Sequence, residues 1–246
     1  MKILFLDIET APNLATVWGL FKQHLSHHNL IESSYVLCWA AKWYGEDITY
    51  FDSVYRSTPK AMLKRIHAML SEADAVVHYN GTKFDIPTLN KEFLLNNIPP
   101  PAPYKQIDLL KTSRNRFRFP THRLDYVAKA LGLEGKVEHM GHEMWLRCMN
   151  KDPEAWAKME EYNIGDVTLL ESVYDRMLPW IKGHANHSVF SGEEVCPHCG
   201  GKHYQKRGFL FTLAGKYQRY QCKDCKTWFR GSKNEAGKAK FLTSGI

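Results

Sequence analysis

The chain has 246 residues, 44% of them hydrophobic and 24% charged, enough for one α/β domain of about 150–200 residues plus a small module and too apolar for a disordered chain. The start, MKILFLDIET, has only a short apolar run before its first acid, and no later stretch approaches about 18 uncharged apolar residues, so neither a secretory leader nor a membrane span is expected. The net charge of +7 is uneven: from Lys182 onward there are 12 Lys/Arg against 4 Asp/Glu, and before it 21 against 22. A nearly neutral body with a basic end predicts a polyanionic partner held partly by that end, with a merely solubilising tail as the alternative.

In chain order, residues 2–8 (KILFLDI) read as a buried strand ending at acids. Residues 10–34 read as a long loop with a short helix around Leu20–Leu25; the histidines at 24, 27 and 28 are expected on its surface, with substrate contact as the alternative. Tyr35–Trp43 and Ile48–Ser53 are predicted as a hairpin. Pro59 is placed to open a helix with Met62, Leu63, Ile66, Met69 and Leu70 on one face. A second central strand, Ala75–Tyr79, leads through Asn80 and Gly81 into a helix from Phe84 to Asn96. His78, within that strand, reads as a hydrogen-bonded core histidine. After a stiff run of prolines (Pro99, Pro100, Pro101, Pro103), another strand ends at Asp108. Helices are predicted over 123–131, 141–149 and 153–177. Strands followed by alternating helices and strands predict a mixed sheet with helices on both faces. The expected division is a domain over 1–180, a linker over 181–192, a cysteine module over 193–233 and a basic tail over 234–246.

Four acids stand out. Asp7 and Glu9 are two apart on a strand, so they share a face. Like charges held together are costly unless a cation offsets them, and Mg²⁺ or Mn²⁺ favours carboxylate oxygens. Asp85 follows HYNGTKF, where strand gives way to helix; an early-helix acid favoured by the dipole is the simpler alternative. Asp166 lies in YNIGD on a strongly periodic helix, one turn beyond Tyr162 on the same face. An inward aspartate needs a partner, and a metal cluster supplies one; Tyr162 could equally be a core aromatic with a wet hydroxyl.

Asp7-Ile8-Glu9-Thr10, Asn80-Gly81-Thr82-Lys83-Phe84-Asp85 and Tyr162-Asn163-Ile164-Gly165-Asp166 together resemble the three motifs of the DEDD superfamily of 3′–5′ exonucleases, the DnaQ-like proteins of ribonuclease H-like fold that include polymerase proofreading domains. The third motif is similar to the tyrosine-bearing form, and residues 1–178 most resemble stand-alone, phage-type exonucleases. The resemblance implies a mixed five-stranded sheet with Asp7 and Glu9 on its central strand. It implies two ions: Asp7, Glu9 and Asp166 on the first, Asp7 bridging to the second, and Asp85 on the second directly or through water. Tyr162 would orient the attacking water, and nucleoside 5′-monophosphates would be released. The expected partner is the 3′ end of single-stranded DNA, with a replication or repair protein as an open class. A monomer in the cytoplasm (a host's, if phage-encoded) is the default. An RNA exonuclease, a polymerase-associated proofreading subunit and a nucleic-acid-binding protein with an inactive nuclease-like body are the alternatives.

Substrate contacts are expected from Thr10, Leu14, Trp18 and Asn80, the last either fixing its loop or approaching the terminal nucleotide. The segment KTSRNRFRFPTHR adds Arg114, Arg116, Phe117, Arg118 and Arg123, pairing phosphate-seeking arginines with rings that stack on unpaired bases. Alternatively, Phe117 and Phe119 anchor a surface loop whose arginines face water.

Of six cysteines, Cys38 and Cys148 read as buried small hydrophobes. Cys196, Cys199, Cys222 and Cys225 form CxxC–x22–CxxC, spacing that supplies four thiolates to one structural Zn²⁺. His198 and His203 are bystanders. The intervening segments resemble the short strands of a zinc ribbon, which is expected to grip nucleic acid.

Overall fold

Strand β1 (Ile3–Thr10) is the axis of the first unit, and its alternation decides what each side of the sheet does. Leu4, Leu6 and Ile8 enter one core cluster, whereas Phe5 meets Tyr174 edge-on on the opposite side, the side toward which Asp7 and Glu9 alternate. The computed structural model describes residues 1–133, 141–213 and 215–237.

After β1 come two short strands, β2 (Leu14–Ala15) and β3 (Leu30–Glu32), which pair with each other. Strands β4 (Val36–Trp43) and β5 (Thr49–Ser53) form the expected hairpin. Helix α1 (Pro59–Glu72) starts at Thr58, whose side chain accepts from Ala61 N–H, with Pro59 in the first turn. Then follow β6 (Ala75–His78), α2 (Asp85–Leu95), β7 (Lys105–Asp108), α3 (Leu109–Arg116), α4 (Leu124–Ala130), α5 (His142–Met149) and α6 (Pro153–Met177). The sheet order is β5-β4-β1-β6-β7; β1 runs antiparallel to β4 and parallel to β6, and β6 parallel to β7. This is the mixed five-stranded sheet with flanking helices of a ribonuclease H-like fold.

One core packs Leu4, Leu6, Ile8 and Trp39 against Met62, Leu63, Ile66 and Leu70 of α1 and Ile86, Leu89 and Phe93 of α2. The other packs Leu37 and Cys38 against Met144 and Cys148 of α5 and Trp156, Met159 and Tyr162 of α6. Both Cys38 and Cys148 are therefore buried apolar groups, as expected.

Several expectations change. No helix forms over Leu20–Leu25: Leu20 and Phe21 are 87% and 86% exposed, so the apolar spacing meets no core. A single 3-10 turn at His27–Asn29, capped by Ser26, stands nearby instead. The basic segment after Asp108 begins as helix α3, because the Asp108 carboxylate accepts from Leu110 and Lys111 N–H and caps it. The stretch expected as a linker carries α7 (His187–Ser191), started by Asn186.

The chain divides into two compact units, Lys2–Tyr174 and the part from Asp175 onward. In the second, β8 (Tyr204–Thr212), β9 (Gly215–Cys222) and β10 (Trp228–Asn234) form an antiparallel sheet in the order β10-β9-β8. Of the expected basic tail, residues 238–246 lie outside the described residues. Among the described residues no helix is long and apolar enough to cross a membrane.

Candidate active site

Three elements deliver the acids. β1 places Asp7 and Glu9 on one face, and α6 faces them with Asp166; one carboxylate oxygen from each of the three lies within 4.8 Å of the others. Asp85, the first residue of α2 and 3% exposed, stands outside that trio and accepts from Ile8 N–H at 3.2 Å. Thus Asp85 is tied to the same strand that carries the pair, from its backbone side.

The loop between β6 and α2 explains that placement. Asn80 adopts φ +71°, a left-handed conformation that asparagine tolerates. Its N–H donates to Asp108 Oδ1, and its carbonyl accepts from Lys83 and Phe84. A Cβ on Gly81 would lie 2.4 Å from the His78 ring, so only glycine fits. The Asn80 backbone therefore anchors this turn. His78 is fully buried, as expected of a core histidine. Its Nδ1 is 3.9 Å from Asp108 Oδ2, and burial lowers its pKa.

The electrostatics are those of a crowded anionic site. Burial pushes the Asp7 carboxyl well above the usual carboxylate range, and the charges of Asp85, Glu9 and Asp166 push it further; the Asn163 hydrogen bond works against them. Burial raises Asp85 to about 7, opposed by its own N–H and that of Ile8. A bound cation would offset this repulsion, and the all-oxygen donor set fits a hard divalent ion. Burial, then Asp166 and Glu9, hold the Tyr162 phenol above its ordinary pKa.

Two neighbours escaped the sequence reading. Asn163, fully buried beside Tyr162, donates from Nδ2 to Asp7 Oδ2 at 2.7 Å. Trp145 of α5 donates from its indole N–H to Glu9 Oε2 at 3.2 Å and sits edge-on to Tyr162. For Asn163 the signal was an amide on the inward face of a periodic helix. For Trp145 it was an indole at the margin of the Met144–Cys148 stripe, too weak to act on.

The other expected contacts scatter. Thr10 ends β1 and Leu14 is half-buried in β2, whereas Trp18 is fully exposed. Arg114 and Arg116 lie in the last turn of α3; Arg118 and Arg123 follow it, and all four are exposed. Phe117 and Phe119 are half-buried against each other, their centroids 5.5 Å apart. Arg114 and Arg123 border a cavity of about 380 Å³ that also includes Tyr79 and His122.

In the second unit Cys196, Cys199, Cys222 and Cys225 converge, one sulfur from each within 4.8 Å of the rest. The Cys196–Cys225 and Cys199–Cys222 sulfurs are 3.6 and 3.7 Å apart. Thiolates arranged tetrahedrally at about 2.3 Å from one zinc stand about 3.8 Å apart, so the cluster fits that ion. The turn after Cys199 is close-packed, since a Cβ on Gly201 would lie 2.3 Å from Asp224 Oδ2. His198 pairs with Leu178 O and His203 approaches Asp224, so neither is among the four converging sulfur ligands.

The RNase_H_2 family model, described as RNase_H superfamily, matches residues 4–178. The chain belongs to that superfamily. Membership, with the acidic cluster, supports nuclease-type activity on nucleic acid in general terms. A family B DNA polymerase from the hyperthermophilic archaeon Pyrobaculum calidifontis is similar in structure, with a TM-score of 0.54 at 18% identity. The likeness covers 72% of this chain and 24% of the polymerase, and at that identity it is one of fold. The chain thus spans about a quarter of the polymerase's length. No curated protein sequence matches it.

Proposed function

We propose that the chain is a divalent-metal-dependent 3′–5′ exonuclease of the tyrosine-bearing DEDD type, acting on single-stranded DNA and releasing nucleoside 5′-monophosphates. The observation that carries this reading is the convergence of Asp7, Glu9 and Asp166 at one end of β1, with Asp85 bound to the same strand.

Asp7, Glu9 and Asp166 would hold one Mg²⁺ or Mn²⁺, and Asp7 with Asp85 a second. Bound there, the ions would acidify water and offset charge on the phosphate and the departing 3′ oxygen. The residues themselves divide the remaining work. Asn163 fixes the Asp7 carboxylate and Trp145 that of Glu9, so both acids are held before substrate arrives. Tyr162, with its pKa raised, keeps its proton near neutral pH and serves as a donor that orients the attacking water rather than as a base. The four-cysteine cluster would hold a structural Zn²⁺ that organises the second unit.

The test is Asp7→Asn, which removes ligand charge at almost constant volume. Turnover on 5′-labelled single-stranded DNA should fall by orders of magnitude with the circular dichroism spectrum unchanged, and Tyr162→Phe should fall less. Near-normal activity of Asp7→Asn would overturn the proposal, and faster trimming of a matched RNA strand would overturn its DNA preference.

A further inference from the structure

The three-stranded sheet of the second unit has two unlike faces. On β9, Cys222, Tyr220, Gln218 and Lys216 alternate with Gln221, Arg219 and Tyr217. Tyr220 stacks on Phe229 and meets Tyr204 edge-on, with centroids 5.5 and 5.4 Å apart. This first face is a small aromatic core on the side of Cys222.

The second face has a different character. Arg219 lies directly opposite Arg230 across the β9–β10 ladder. Like charges placed so are destabilising, and no acid on the three strands relieves them: β8, β9 and β10 contain six Lys/Arg and no Asp or Glu. Each guanidinium is instead laid on a ring, Arg219 at 5.0 Å from the Trp228 centroid and Arg230 at 4.0 Å from that of Tyr217. Trp228 remains 51% exposed even so. Opposed arginines want an anion, and the half-open indole beside them, opposite Gln221, wants a flat apolar ligand. An acidic peptide would satisfy only the first, and duplex DNA keeps its bases stacked away from the second.

We propose that the face bearing Tyr217, Arg219, Trp228 and Arg230 is a docking surface for single-stranded DNA, with phosphates on the two arginines and a base on Trp228. The choice of DNA rests on the substrate reading above; the surface itself does not depend on catalysis.

Binding of the full-length chain to a fluorescent oligothymidine of about 20 nucleotides, longer than one binding site, tests it across a salt series. Magnesium and manganese are omitted, and zinc content certifies that each variant is folded. Arg219→Ala/Arg230→Ala should reduce the slope of log affinity against log salt by about 1.4, at about 0.7 per phosphate on a single strand. Trp228→Ala should weaken binding about 5- to 150-fold with the slope unchanged. Lys206→Ala, which faces Tyr220 on the other side, should change little. Parental affinity and slope in both test variants would overturn the surface, as would an equal loss for Lys206→Ala. Tighter binding of matched oligouridine would overturn its assignment to DNA. Metal-dependent trimming of a trinucleotide reports on the exonuclease reading separately.

Discussion

Asp85 offers a measure of what it costs to hold a buried carboxylate charged at the candidate active site. Its carboxyl rises from 3.8 to about 7 because it is buried, with Asp108 adding to the effect. A carboxyl with a raised folded pKa binds protons on folding, so its contribution to stability falls as pH rises through that window. At 1.36 kcal/mol per tenfold change in ionisation, holding Asp85 charged in the metal-free fold costs about 4 kcal/mol above pH 7. Asp85→Asn removes that cost while its side-chain oxygen can still accept from Ile8 N–H. Without magnesium or manganese, the variant and parent should melt close together near pH 4. By pH 8 the variant should melt higher by up to about 8–16 °C, at about 2–4 °C per kcal/mol for a protein of this size. Added Mn²⁺ should narrow the gap, since it stabilises the parent more. Calorimetry over that range decides the matter, with the metals omitted rather than chelated so that the thiolate cluster is left alone. A gap that is independent of pH, or a variant that melts below the parent at pH 8, would refute the argument.

Other perturbations read different parts of the molecule. Trp145→Phe deletes the N–H that Glu9 accepts, and the half-saturating Mn²⁺ concentration for cleavage should rise about 10- to 100-fold; an unchanged metal titration would deny the indole that role. Gly81→Ala drives a methyl into the His78 ring at 2.4 Å and should lower stability by about 1–3 kcal/mol in urea unfolding. Cys222→Ser should abolish stoichiometric zinc, and the second unit should become protease-sensitive while the Lys2–Tyr174 unit keeps its melting transition. Structural zinc contributes about 10–16 kcal/mol in comparable small modules, so an unaltered digestion pattern would contradict the site.

What the sequence disclosed, and what it did not, follows from where each signal resides. β1 was legible because its apolar alternation and its acids are local, and α6 because 25 residues of helical period average out noise. The CxxC pairs were legible because metal geometry constrains spacing directly. Helix α3 was missed for the opposite reason: after Leu109 and Leu110 its residues, KTSRNR, present no apolar stripe, and what starts it is the cap at Asp108. That cap reads in sequence as the end of a strand. The false helix at Leu20–Leu25 inverts the case, since its spacing was adequate but a short helix in water is marginal without a packed face to hold it. Trp145 and Asn163 belong to a third kind. Their types suit a core position, and only the fold reveals that each N–H ends on a carboxylate of β1. The arginines of the second unit make the same point about function. Their number was plain from composition, but the opposition of Arg219 and Arg230 exists only once the β9–β10 register is set. A one-residue slip would send alternate side chains to the other face and put Arg219 beside the aromatic core. Position in a ladder, rather than net charge, is therefore what separates a docking surface from a solubilising tail.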